Sequence, residues 1–130
     1  MLTVGLIGAG RIGRVHASTI SMHANSKLVA VADVIEDNAQ KLARDFGIQV
    51  CSTDAIYKDK SIDAVLVASS TDTHSEIIEK ATLAGKAVLC EKPVDISLER
   101  AKQCLENTKP NGQPIMSVSY THLTLPTSVI

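Results

Sequence analysis

The chain has 130 residues, 45% apolar and 21% charged, with a net charge of −1. That length supports one domain with a real core, and the apolar share excludes a disordered chain. The near-neutral balance gives no reason to expect nucleic acid or an anionic membrane surface as partner, and no apolar run approaches the length of a membrane span. Met1 leads directly into a strand pattern, so no signal peptide is expected. Cys51, Cys90 and Cys104 are odd in number and show no CxxC spacing. They read as buried thiols in a reducing compartment, which points to the cytoplasm, and no His/Cys pair has the spacing of a metal site.

In chain order, Thr3-Val4-Gly5-Leu6-Ile7 predicts a first strand that ends in Gly8-Ala9-Gly10-Arg11-Ile12-Gly13. A helical pattern follows, with Ile12, Val15, His16, Thr19 and Ile20 on an apolar-leaning face. A second apolar run, Lys27 to Ala32, ends on Asp33. Strand, glycine motif, helix, strand and acid at this spacing are the fingerprint of a dinucleotide-binding Rossmann βαβ unit. Gly8 permits the tight turn out of the strand, Gly10 lets backbone approach a pyrophosphate, and Gly13 lets the helix pack closely. The helix N-terminus then offers N–H groups and a positive dipole end to the phosphates. Asp33 can accept hydrogen bonds from both adenosine ribose hydroxyls, or it can serve as a strand-end or capping residue. As a ribose acceptor it would repel a 2′-phosphate, and Val34-Ile35-Glu36-Asp37 supplies no cation to offset it, which favours NAD over NADP. Arg11 is either a phosphate or adenine contact or an exposed first-turn arginine.

The remaining pattern alternates helix and strand. A second helix is predicted over Asp37 to Phe46, stopped by Gly47, and a short third strand over Ile48 to Cys51. Ile62 to Ala68 is nearly continuous apolar sequence and predicts a strand buried on both faces. A helix over Glu76 to Ala84 stops at Gly85, and Lys86 to Cys90 is the fifth strand. Leu98 to Asn107 reads as a helix capped by Ser97, and Gln113 to Ser117 begins a sixth strand. Strands joined by helical crossovers predict an α/β domain with a right-handed, doubly wound parallel sheet.

Ligands of such a sheet bind at the carboxyl ends of its strands. Two segments fall there. After the fourth strand, Thr73-His74-Ser75-Glu76 fits a capping box with Thr73 as cap and Glu76 reaching back. The same loop can touch a ligand, and His74 reads equally as a core-edge residue or a nicotinamide neighbour. After the fifth strand comes Glu91-Lys92-Pro93. Pro93 restricts Lys92 to extended geometry, which would aim its ammonium into the cleft. There it could hydrogen-bond a substrate hydroxyl and stabilise developing alkoxide charge. The alternative for Lys92 is a solvated surface lysine.

Together, Gly8-Ala9-Gly10-Arg11-Ile12-Gly13, Thr71-Asp72-Thr73-His74 and Glu91-Lys92-Pro93 resemble the Gfo/Idh/MocA oxidoreductase family, on the side of its inositol dehydrogenases. The resemblance covers about residues 1–117. It implies hydride transfer between a sugar or cyclitol hydroxyl carbon, myo-inositol or a relative, and the nicotinamide of NAD. It places Gly8, Ala9, Gly10, Arg11 and Ile12 on the cofactor, Asp33 on its ribose, and Ser70, Thr71 and His74 beside it. Glu91, Lys92 and Pro93 line the nicotinamide end, with Lys92 as the catalytic residue. The family carries a further, largely antiparallel α/β domain, longer than one ordinary domain. That domain supplies most substrate contacts, the homo-oligomer interface, and an aspartate and histidine that complete the catalytic set.

The chain departs from that pattern at its end. Val118-Ser119-Tyr120-Thr121-His122-Leu123-Thr124-Leu125-Pro126-Thr127 matches one translated frame of a transposase mosaic-end sequencing adapter. Residues 118–130 are therefore expected to be a non-native tail after a dinucleotide-binding domain over 1–117, the alternative being a genuine short extension. Tyr120 and His122 are given no catalytic role. The chain is accordingly expected to bind NAD and to turn over little or nothing. The alternative function is a non-catalytic NAD-binding or redox-sensing domain. Lys92 separates the two, because a sensor has no need of it.

Overall fold

The computed structural model describes residues 1–118 and 127–129. The elements are β1 (Leu2–Ile7), α1 (Arg11–Met22), β2 (Ser26–Ala32), α2 (Glu36–Phe46), β3 (Gln49–Val50), α3 (Thr53–Lys58) and β4 (Ala64–Val67). After a 3-10 turn over Thr71–Thr73 come α4 (His74–Leu83), β5 (Ala87–Glu91), α5 (Leu98–Thr108), β6 (Ile115–Val118) and β7 (Thr127–Val129). The sheet order is β3-β2-β1-β4-β5-β6-β7. The pairs from β3 through to β6 are parallel, and β7 joins β6 antiparallel. This is the doubly wound α/β sheet the alternating pattern predicts. Of the expected tail, Val118 closes β6 and residues 127–129 form β7, while residues 119–126 and 130 lie outside the described residues.

Strand parity sorts the core into two layers. Val4 and Leu6 of β1 and Ala64 and Leu66 of β4 pack with Ala17 and Ile20 of α1 and Ala39, Leu42 and Ala43 of α2. Their neighbours Ile7, Val65 and Val67 pack on the opposite face with Ile56 of α3, Ile77, Ile78 and Ala81 of α4, and Cys104 of α5. All four residues of β4 are buried, which is why that segment reads as a continuous apolar run. Fully burying a side chain such as Leu42 or Ile78 contributes about 2 kcal/mol, so the two layers carry the domain. Cys90 and Cys104 are buried free thiols and Cys51 is half-buried. Burial pushes the Cys90 thiol up to about 12, with the neighbouring Cys104 and Glu91 adding to it, so it stays protonated.

Two local expectations fail. The sequence pattern does not predict α3, which is too short to show a period. It forms because Ser52 caps it, its hydroxyl accepting from the Ala55 N–H at 3.1 Å. The capping box at Thr73 is not formed either. The 3-10 turn winds straight into α4, so Thr73 has helical φ and ψ of −97° and −11° instead of the extended conformation a cap requires. Its hydroxyl donates back to the Ser70 carbonyl at 2.6 Å, and Glu76 reaches forward to Lys80 at 2.9 Å. The helix therefore begins at His74, two residues before the predicted start. The Ser97 cap of α5 does form, accepting from the Arg100 N–H at 3.2 Å.

Candidate dinucleotide-binding site

Strand order reverses between β1 and β4, and a crevice opens outside their carboxyl ends. A cavity of about 590 Å³ sits there, a size suited to a small-molecule ligand. Its lining includes Gly8, Gly10, Asp33, Ser69, Ser70 and Thr73.

The glycine motif is shaped by backbone contacts. Gly8 has φ +105°, and a Cβ there would stand 2.4 Å from the Ala68 carbonyl carbon and the Ser69 nitrogen. A Cβ on Gly13 would stand 1.9 Å from the Gly8 oxygen, so α1 lies directly against the loop that precedes it. Gly10 differs, because a Cβ there would meet nothing within 4 Å. It faces the open cleft and is the N-cap of α1, with no side-chain capping bond. The first N–H groups of α1 are thus presented to the space a pyrophosphate would fill.

Asp33 fixes the other wall. Its Oδ2 accepts from the Ala9 N–H at 2.6 Å and its Oδ1 from the Ile35 N–H at 2.8 Å. A carboxylate has about four lone-pair sites, so both oxygens keep capacity for a diol. The capping and ribose readings of Asp33 are therefore compatible. Beyond it, Val34 and Ile35 are exposed at the rim. Thr53 and Tyr57 of α3 and Glu76 and Lys80 of α4 complete the far wall. Burial, with the Glu76 and Asp54 carboxylates nearby, pushes the Tyr57 phenol up to about 12, so it remains a hydrogen-bond donor. The sequence gives no signal for the α3 part of this wall, because α3 itself is not predicted.

The other expected residues divide. Arg11 is exposed on the first turn of α1 and Ile12 is half-buried. His74 is 1% exposed, with Nδ1 2.8 Å from the Pro93 carbonyl and Nε2 2.9 Å from the Ser69 carbonyl. It joins the loop after β4 to the loop after β5 from inside the core. Thr71 belongs to the 3-10 turn. Glu91 ends β5, and Lys92 and Pro93 follow it, exposed and joined by a cis peptide. β4 lies between β5 and β1, so this segment stands about 10 Å along the same sheet edge from β1. None of Thr71, His74, Glu91, Lys92 and Pro93 lines the cavity.

The sequence reading also missed His16. It is not merely part of an apolar face: its Nε2 lies 2.5 Å from Glu91 Oε2, with the two side chains 5% and 17% exposed. Ala87, Leu89 and Glu91 share one face of β5, and the first two pack in the layer that contains α1.

The model of the Gfo/Idh/MocA oxidoreductase family, NAD-binding Rossmann fold, matches residues 2–120. The chain belongs to this family. The inositol 2-dehydrogenase of Rhizobium meliloti is 48% identical over 102 residues, covering 78% of this chain and 31% of that protein. The scyllo-inositol 2-dehydrogenase (NAD(+)) of Bacillus subtilis is 37% identical over 110 residues, covering 82% of this chain and 32% of that protein. Among solved structures, a myo-inositol dehydrogenase from Corynebacterium glutamicum superposes with a TM-score of 0.83 at 35% identity, covering 90% of this chain and 35% of that one. The chain spans about a third of the length of the curated relatives it matches. This family member carries the NAD(P)-binding Rossmann domain, and among its described residues no helix is long and apolar enough to cross a membrane.

Proposed function

We propose that this chain is the cofactor-binding part of an NAD-dependent dehydrogenase that oxidises a hydroxyl carbon of a polyol or sugar, myo-inositol or a close relative. The observation that carries the reading is Asp33, held by the Ala9 and Ile35 N–H groups at the edge of a cleft whose floor is Gly10. The inositol dehydrogenases among its relatives support the substrate class.

The residues fit the cofactor. The N-terminus of α1 would receive the pyrophosphate, with Gly8, Ala9, Gly10, Arg11 and Ile12 around it. Asp33 would accept from the ribose diol and disfavour a 2′-phosphate. Lys80, the cation on the far wall, is engaged by Glu76 at 2.9 Å. Ser70, Thr71 and the Glu91–Pro93 segment would border the nicotinamide half, with His74 holding the two loops together. When bound, the nicotinamide supplies the carbon that accepts hydride. Lys92 would hydrogen-bond the substrate hydroxyl and stabilise the alkoxide as its proton passes to a general base, the histidine that the family's further domain supplies.

Calorimetric titration of the whole chain tests this reading. NAD should bind at least tenfold more tightly than NADP, and Asp33→Ala should erase the difference. Tighter binding of NADP to the unaltered chain sinks the NAD assignment. With myo-inositol and NAD the chain by itself should form no NADH at an enzymatic rate, and an ordinary rate would overturn the view that it is only part of the catalyst.

A further inference from the structure

The buried pair His16–Glu91 is not used by the binding scheme above. A carboxylate 17% exposed and an imidazole 5% exposed are costly to bury unless hydrogen-bonded, and here they bond each other. The carboxylate only accepts, so Nε2 of His16 donates to Oε2. His16 lies on the buried stripe of α1 with Gly13, Ala17 and Ile20. An apolar residue there would satisfy the helix period equally well but would leave Glu91 without this donor.

Glu91 is the residue before Lys92, and the far side of Lys92 is also tied. Pro93 offers its carbonyl to Nδ1 of His74 at 2.8 Å, and Asp95 accepts from the Ser75 hydroxyl at 2.7 Å. Residues 91, 93 and 95 are thus bonded to α1 and α4, with the exposed Lys92 between them. The same helix α1 presents its N-terminus to the cleft.

We infer that His16 is a positioning residue for Lys92, acting through Glu91. It makes α1 a common support for the phosphate-binding loop and the lysine. This inference rests on the proposed role of Lys92 beside the nicotinamide.

The test reads Lys92 directly in the whole chain labelled with ¹³Cε-lysine. The Lys92 signal is the one missing from Lys92→Arg. In the unaltered chain it should be distinct from free lysine and should move when NAD is added. His16→Leu should collapse it to the free-lysine position, whereas His16→Gln, which keeps an N–H donor, should retain it. A signal unchanged by His16→Leu overturns the inference, and so does one lost equally in His16→Gln, which would assign the effect to packing. A signal already at the free-lysine position in the unaltered chain overturns it too. If His16→Leu does not fold, His16→Met removes the same donor and is read in the same way. A Lys92 signal that responds to His16 but not to saturating NAD leaves the positioning intact and removes the nicotinamide role.

Discussion

The glycine loop and the Glu91-Lys92-Pro93 segment occupy the same edge of one sheet and are held in opposite ways. The glycine loop is shaped by backbone against backbone: Gly8 on Ala68 and Ser69, and Gly13 on the Gly8 carbonyl. The lysine segment is held by side chains that arrive from α1 and α4, namely His16, His74 and Ser75. A loop fixed by missing Cβ atoms announces itself in sequence, because only glycine satisfies it. A loop fixed by distant side chains does not, because each partner looks ordinary until the sheet brings it near.

This contrast can be broken most forcefully at the glycines. Gly8→Ala and Gly13→Ala each drive a methyl into backbone that has no flexible end to yield. Each should cost about 3 kcal/mol, the upper part of the range for overpacking, read as a fall in the urea midpoint at unchanged slope. A loss under about 1 kcal/mol would mean the loop relaxes freely and is not the rigid half of the site.

Asp33→Ala should act next. It strips an acceptor from the Ala9 and Ile35 N–H groups and should cost about 1–2 kcal/mol in chemical denaturation. The ribose bonds lost with it should weaken NAD about tenfold to a hundredfold. If affinity survives, Asp33 is a loop staple only.

Gly10→Ala sharpens the comparison. Its φ of −78° suits alanine and a Cβ meets nothing within 4 Å, so stability should change by less than about 0.5 kcal/mol. NAD affinity should nevertheless fall, because the methyl enters the space proposed for the pyrophosphate. A large loss of stability without loss of affinity would reverse the roles assigned to the glycines.

The smallest effect lies away from the site, between α4 and α5. Arg100 forks onto Glu79 at 2.6 and 2.9 Å. That bond, opposed by desolvation and helped by Asn107, holds the Glu79 carboxyl below its ordinary value of 4.5. A depressed carboxyl stabilises the fold above its unfolded value and loses that contribution as pH falls through the folded one. Arg100→Leu should therefore cost under about 1 kcal/mol at pH 7, and the difference from the parent chain should vanish in melts well below pH 4.5. A difference that persists in acid would assign the effect to packing.

By itself the sequence determined the fold class and the shape of the glycine loop. Apolar runs of strand length, the glycine spacing and Asp33 each follow from what local backbone geometry permits. Gly8, Gly10, Asp33 and Ser70 line one cavity. Tertiary structure decided what depends on parity and register between distant elements. It turned Thr73 from a cap into a turn residue, raised α3 to form a wall with Tyr57, and set His16 against Glu91, 75 residues away in the chain. Nothing along the segment of Glu91 announces His16 as its partner. The stacking of α1 on that face of β5 brings the two together.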